Sequence, residues 1–241
     1  MNGRGRKGDR RARSTTVAAT VGGFKVGDTL VAIFGVNRPG KPRVQFHQPL
    51  APRLLLVSSW ETGRKAERMR PKLYRNLRTN PHGELAQDNE PMTFDYLRAE
   101  MDTVVDAVAA MEAYANEAVP DGATRTVPVP NGRPKTLGYE KLVKENTRAK
   151  LREHLPDLLN VSGLPSDLDE ALEDLMELRH RIAHAKRNDS RDPYLEGGSL
   201  WEALVLADYP RPAMTAGAII AHFDAGMVPA DIRAAIEKQR R

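Results

Sequence analysis

From Thr93 to Val119 the chain carries no glycine and no proline, and within that stretch Phe94, Leu97, Met101, Val104, Val105, Val108, Met111 and Ala115 recur at helical spacing. Apolar residues every three or four positions share one stripe of a helix, whereas a strand would send them to alternate faces. The segment is therefore read as the longest helix of the chain, ended by Pro120. A helix of this kind must bury its stripe against another layer, so the rest of the fold has to supply partners.

Further helices follow from the same rules. Pro165 and Ser166, ahead of Asp167, Asp169 and Glu170, form a helix-start signal, and Leu168, Leu172, Leu175, Leu178 and Ile182 repeat along one face. Tyr139 to Leu155 reads as a shorter basic helix stopped by Pro156, and Pro212 to Phe223 and Pro229 to Lys238 as two closing helices separated by Gly226. Asp121 to Gly138, with three prolines and the Asn131-Gly132 pair, reads as a loop, as does the polar stretch Asn188 to Gly198. The expected class is all-α.

Charge divides the chain unevenly. Residues 1 to 80 hold 18 Lys and Arg against 4 Asp and Glu, a net of +14, while residues 81 to 241 hold 19 against 28, a net of −9. Arg4, Arg6, Lys7, Arg10, Arg11 and Arg13 lie among glycines and cannot build a core, so residues 1 to 20 are expected to be a disordered basic tail. Residues 21 to 90 form a basic extension and residues 91 to 241 the helical bundle. Within the extension, Phe24 to Phe34 and Arg53 to Val57 are read as two strands of a small β-hairpin, with prolines between them. Glu61 to Arg78 reads as a basic helix interrupted by Pro71, with Arg68 and Arg75 able to hold a phosphate backbone and Trp60 and Tyr74 able to stack on bases.

The chain has no cysteine, which removes disulfides, thiolate nucleophiles and thiolate metal sites. It has no apolar run of membrane-spanning length, and Ser14 to Gly23 is too rich in Thr and Gly for the core of a signal peptide. A cytoplasmic protein without a membrane partner is expected. Phosphate-cradling glycine loops and hydrolase elbows are absent from the sequence as well.

The chemistry concentrates at the end of the Leu-rich helix, in Arg179-His180-Arg181-Ile182-Ala183-His184. An imidazole donates or accepts a proton near neutral pH, and a guanidinium forks onto phosphate oxygens, so this segment could cleave a phosphodiester without a metal. On an ideal helix Arg179 and His184 lie roughly 140° apart, so their convergence on one phosphate needs a bent helix end or a second subunit. His180 and His184 share a face. Their i, i+4 spacing also suits zinc, but Arg181 stands where a metalloprotease has its catalytic Glu and would repel a cation. A structural reading competes: cations at a helix C-terminus are favoured by the macrodipole.

Arg179, His180 and His184 resemble the Arg-x4-6-His motif of HEPN (higher eukaryotes and prokaryotes nucleotide-binding) domains. Val105 to Val119 resembles the first long helix of that family, and Glu140 to Pro156 its second helix and following loop. The likeness runs over roughly residues 94 to 225. It implies a four-helix bundle that pairs as a homodimer, bringing motif residues from two subunits together across a cleft. In active members the His and Arg support metal-independent RNA cleavage by 2′-hydroxyl attack, with no cofactor. Arg179, His180 and His184 would then be catalytic, with Glu112 and Asn116 in support and Lys186, Arg187 and Arg191 holding RNA. An antitoxin or regulatory protein would be a further partner. Some toxin-branch members carry a Tyr two residues after the His, where this chain has Lys186. The alternative is a non-catalytic module that binds RNA, nucleotide or a protein partner.

Overall fold

The computed structural model describes residues 14–16, 29–31, 33–36, 44–47, 50–77, 90–128, 132–184, 199–206 and 211–239. These residues are mostly helical. The tail read over residues 1 to 20 lies outside them, except for Ser14–Thr16.

Two long helices dominate. α1 spans Ala51–Leu77 and α2 spans Glu90–Glu117. They pack antiparallel along their length. The Ser59 hydroxyl donates to the Thr103 carbonyl at 2.7 Å and the Ser58 hydroxyl to the Asp106 carboxylate at 2.6 Å, which fixes the register. Small residues line the seam: Ser59, Gly63 and Ala66 on α1, and Ala99, Thr103 and Ala107 on α2, all buried. Short side chains let two backbones approach closely, and the seam hydroxyls find backbone acceptors, Thr103 donating to Ala99.

The strand expected at Arg53 to Val57 is instead the opening of α1. Four consecutive apolar residues fit either element by periodicity, and Pro52, in the first turn where its missing N–H costs nothing, favours the helix. Leu56 and Val57 turn inward while Leu54 stays 41% exposed, an arc that a pleated strand would not give. The helix also continues through Pro71. Ala66 and Leu73, buried on either side of it, pack against Tyr96 and Ala99 and hold the helix together across the lost hydrogen bond. In the extension, Thr29–Val31 pairs antiparallel with Ser14–Thr16 (β2 with β1), and Ile33–Val36 with Val44–His47 (β3 with β4). The partner of the Phe24 to Phe34 region is thus not Arg53 to Val57.

After α2, the stretch read as a loop contains an antiparallel hairpin, β5 Thr124–Val127 with β6 Lys135–Gly138. Alternating Thr, Arg and Val in β5 carries the period-2 signal that the prolines masked. The basic helix then breaks into α3 Tyr139–Lys144, α4 Thr147–Ala149, a π-helical turn Lys150–His154 and α5 Leu155–Leu159. Pro156 does not stop the chain there, because it occupies the first turn of α5, where no intrahelical donor is required. α5 ends instead at Asn160, which takes a left-handed conformation.

α6, Ser166–Ala183, matches the expected motif helix. α7, Leu200–Leu206, was not foreseen, and it packs on both α2 and α6. α8, Arg211–Phe223, and α9, Ala230–Gln239, are the two closing helices. Gly217 lets α9 approach α8: a β-carbon there would stand 3.2 Å from both Ile232 Cγ2 and Ile236 Cδ1. The main core gathers Leu56 of α1, Val104 to Ala115 of α2, Leu151 and Leu155, Leu168 to Leu175 of α6, Ile219 and Ile220 of α8 and Ile232 of α9. Each such side chain contributes about 1.5–3 kcal/mol by leaving water.

Candidate functional site

α6 is fixed at one end and open at the other. Asp167 and Asp169 sit in its first turn, where carboxylates suit the dipole, and Leu168, Leu172 and Leu175 are buried. Arg148 reaches Glu173 at 2.8 Å, and Arg152 bridges Asp169 and, at 3.2 Å, Glu173. These pairs tie the first half of α6 to the α4 and π-turn segment. The same segment holds the end of α2 through Lys150, so α6 starts beside the C-terminus of α2 and runs back alongside it.

The open end carries the motif. Ile182 packs against the main core, Arg179 is half-buried, and His180 and His184 are exposed. His184 ends the helix with non-helical angles, φ −126° and ψ 33°, and its backbone N–H donates to the His180 carbonyl at 3.0 Å. The two rings lie 4.7 Å apart, centroid to centroid, at 50°. Two imidazoles thus face solvent side by side, within reach of one small substrate, and Arg179 leaves the helix one residue before His180.

Glu112 and Asn116 stand elsewhere. They lie near the C-terminal end of α2, where the Lys150 ammonium donates to the Asn116 side-chain oxygen and to the Val143 carbonyl, each at 2.5 Å. Lys150 is 3% exposed; burial lowers its pKa, while Glu112 and Glu145 act to raise it. The distance along α6 from Asp169, at that end, to His180 is roughly 16 Å at the rise of an α-helix. Asn116 therefore serves a buried lysine, and Glu112 acts on the same ammonium. Lys186, Arg187 and Arg191 lie outside the described residues. Arg68 and Arg75 are exposed on α1 with Lys65 and Lys72, and Arg68 donates to the Arg64 carbonyl at 3.0 Å. Trp60 is half-buried against the core with the Arg64 guanidinium 5.8 Å over its ring, and is not a free stacking surface.

Among the described residues, three buried acidic or basic side chains escaped the sequence reading. His154, 3% exposed, accepts from the Arg125 guanidinium through Nδ1; burial and then that cation lower its pKa. Arg125 also meets Asp157 at 2.7 Å. In this second arginine–imidazole pair the imidazole is buried and the guanidinium half-buried beside the exposed Asp157. Glu100 is fully buried between α1 and α2, neither carboxylate oxygen has a hydrogen-bond partner, and burial raises its pKa to about 8 against the opposing pull of the Tyr96 hydroxyl and Arg70. Lys150 completes the set. The signal for Glu100 was an acid four residues from Tyr96 and from Val104 on an apolar face; for Lys150 and His154 it was the irregular turn, which no periodicity reveals.

His222, on α8, is half-buried: its Nε2 lies 2.9 Å from the Ser162 carbonyl and its ring stands edge-on to Phe223. Among the described residues no cluster of three or more His, Asp or Glu could hold a metal ion. No helix among them is long and apolar enough to cross a membrane. Comparison with protein-family models, with curated proteins and with solved structures gave no match.

Proposed function

We propose that the protein is a metal-independent endoribonuclease of the toxin or defence type, acting at Arg179, His180 and His184. The observation that carries this reading is the pair of exposed imidazoles 4.7 Å apart at the end of α6, with an arginine in the adjoining turn. One imidazole in its neutral form takes the proton of a ribose 2′-hydroxyl as that oxygen attacks the neighbouring phosphorus. The other, as imidazolium, gives a proton to the departing 5′-oxygen, and a 2′,3′-cyclic phosphate is left behind. The Arg179 guanidinium stabilises negative charge growing on the non-bridging oxygens. Because Arg179 and His184 leave one helix roughly 140° apart, the full site is assembled from two subunits. The exposed cations of α1, Lys65, Arg68, Lys72 and Arg75, guide RNA through its phosphates. The setting is the cytoplasm, where an antitoxin or regulatory protein holds the activity in check.

RNA incubated with the purified protein and a chelator tests this directly. The expected products carry cyclic phosphate ends, and His184→Ala or His180→Ala lowers the cleavage rate by about 10²–10⁴-fold with RNA binding retained. Undiminished cutting by the variants overturns the assignment. Binding by the unaltered protein without any cutting leaves a non-catalytic RNA module.

A further inference from the structure

We infer that the β5–β6 hairpin is latched to the π-helical turn by the contact between Arg125 and His154, a contact that only the uncharged imidazole can make, so that protonation of His154 lets the hairpin go. The hairpin turns one face inward. Arg125 and Leu137 are cross-strand partners on the same side of it, Leu137 buried and Arg125 half-buried, while Thr124, Thr126 and Thr136 are exposed. From that inner face the Arg125 guanidinium reaches His154 Nδ1, and two of its nitrogens meet the Asp157 carboxylate of α5 at 2.7 and 2.8 Å. Glu153 stands 3.8 Å from the same guanidinium.

A guanidinium only donates, so Nδ1 must offer its lone pair and the ring proton sits on Nε2. His154 is 3% exposed, and its Nε2 has no hydrogen-bond partner among the described residues. An imidazolium carries an N–H on both nitrogens. In this setting one would point at a guanidinium and the other at no acceptor, so charging the ring breaks the latch and forms no new bond. Burial first and then the Arg125 charge lower the pKa of His154, while Glu153 of the same turn, Glu145 at the end of α3 and Asp157 of α5 act to raise it. Glu153 and Asp157 are more than half exposed and are engaged with Arg125, so solvent screens their pull on a charged ring.

The hairpin is the side that yields. On the π-turn Leu151 is fully buried, Lys150 donates to Asn116 and to the Val143 carbonyl, and Arg152 bridges to Asp169 and Glu173. The strands of the hairpin are four residues each, and half of those residues are exposed. A two-stranded ribbon of that length does not keep its pairing in water unaided. Without Arg125, its hold on the body rests on Leu137 and Val127.

A free imidazole takes its proton near pH 6.5 and the latched one only at lower pH, so the latch is at full strength above about 6.5 and fades as pH falls through the lowered value, by at most about tenfold per pH unit. This does not rest on RNA cleavage, and a chain without nuclease activity leaves it standing. Amide exchange of residues 124–127 and 135–138, expressed as protection factors from about pH 8 to about pH 4, should show the hairpin loosening on acidification while amides around Met111 in the core keep their protection. His154→Gln, whose side-chain oxygen can accept from Arg125 and which does not titrate, should stay protected throughout. Arg125→Ala should be loose at every pH, at least about tenfold below wild type at neutrality. In the unaltered chain the His154 ring, followed by NMR, should gain its proton in step with the loosening, and that comparison decides the matter if the glutamine variant does not fold. A wild-type hairpin as well protected in acid as at neutrality overturns the inference. So does a ring that becomes charged while the hairpin stays closed, or an acid loosening that His154→Gln retains in full.

Discussion

Lys150 donates to the Asn116 side-chain oxygen across 2.5 Å, joining an irregular π-helical turn to the end of the longest helix. The ammonium is almost fully enclosed, and its other bond, to the Val143 carbonyl, reaches back to α3. One side chain therefore holds three elements together. Lys150→Ala leaves two acceptors without their donor and opens a cavity, so stability should fall by about 2–4 kcal/mol in denaturant unfolding. Lys150→Met, which keeps the volume, should lose less.

Glu100 should make the fold weaken with rising pH. Its folded pKa of about 8 lies above the unfolded value of about 4.3, so the unfolded chain gives up this proton first. The stabilisation is complete below about pH 4 and drains away as pH climbs toward 8, at no more than about 1.4 kcal/mol per unit. Glu100→Gln, which cannot ionise, should flatten the melting temperature between pH 5 and 8; a profile unchanged by that substitution would mean the carboxyl is not held neutral.

The exposed cations of α1 act on any polyanion through charge alone. Arg68→Ala and Arg75→Ala should each weaken RNA binding by a similar factor for every sequence tried, and each should reduce the slope of log affinity against log salt by about 0.7. Loss confined to particular RNA sequences would show base reading instead.

At Gly217 the close approach of α9 leaves no room for a larger residue. Gly217→Val places branched methyls against Ile232 and Ile236 and should cost about 1–3 kcal/mol, even though valine is the better helix former. The thermal midpoint of that variant measures it.

What the sequence discloses here follows the strength of its periodicity. α2, α6, α8 and α9 were legible because their apolar residues repeat over several turns and prolines mark their starts or ends. α1 was legible only in part: Glu61 to Arg78 reads as helix, but the opening run of four apolar residues has no period of its own and Pro71 imitates a break. The β5–β6 hairpin hid among turn residues, and the π-turn has no pattern to find. Of the site, Arg179, His180 and His184 could be picked out by spacing, and their helix end emerged where expected. The placement of Glu112 and Asn116 could not be read, since helical spacing says which face a residue occupies and not which neighbour claims it. That neighbour, Lys150, looked in the sequence like one more solvated cation.

Among the described residues the apolar interior holds two separate clusters. One cluster holds Ala66, Leu73, Tyr96 and Ala99 near the far ends of α1 and α2, the other begins at Val104, and the fully enclosed Glu100 lies between them in sequence. An acid without hydrogen-bond partners at that junction is a poor adhesive. Amide protons beyond it should exchange with deuterium sooner than those of the larger body, and they should do so as one unit, the tip of the helical pair opening like a clothes-peg while its base stays shut.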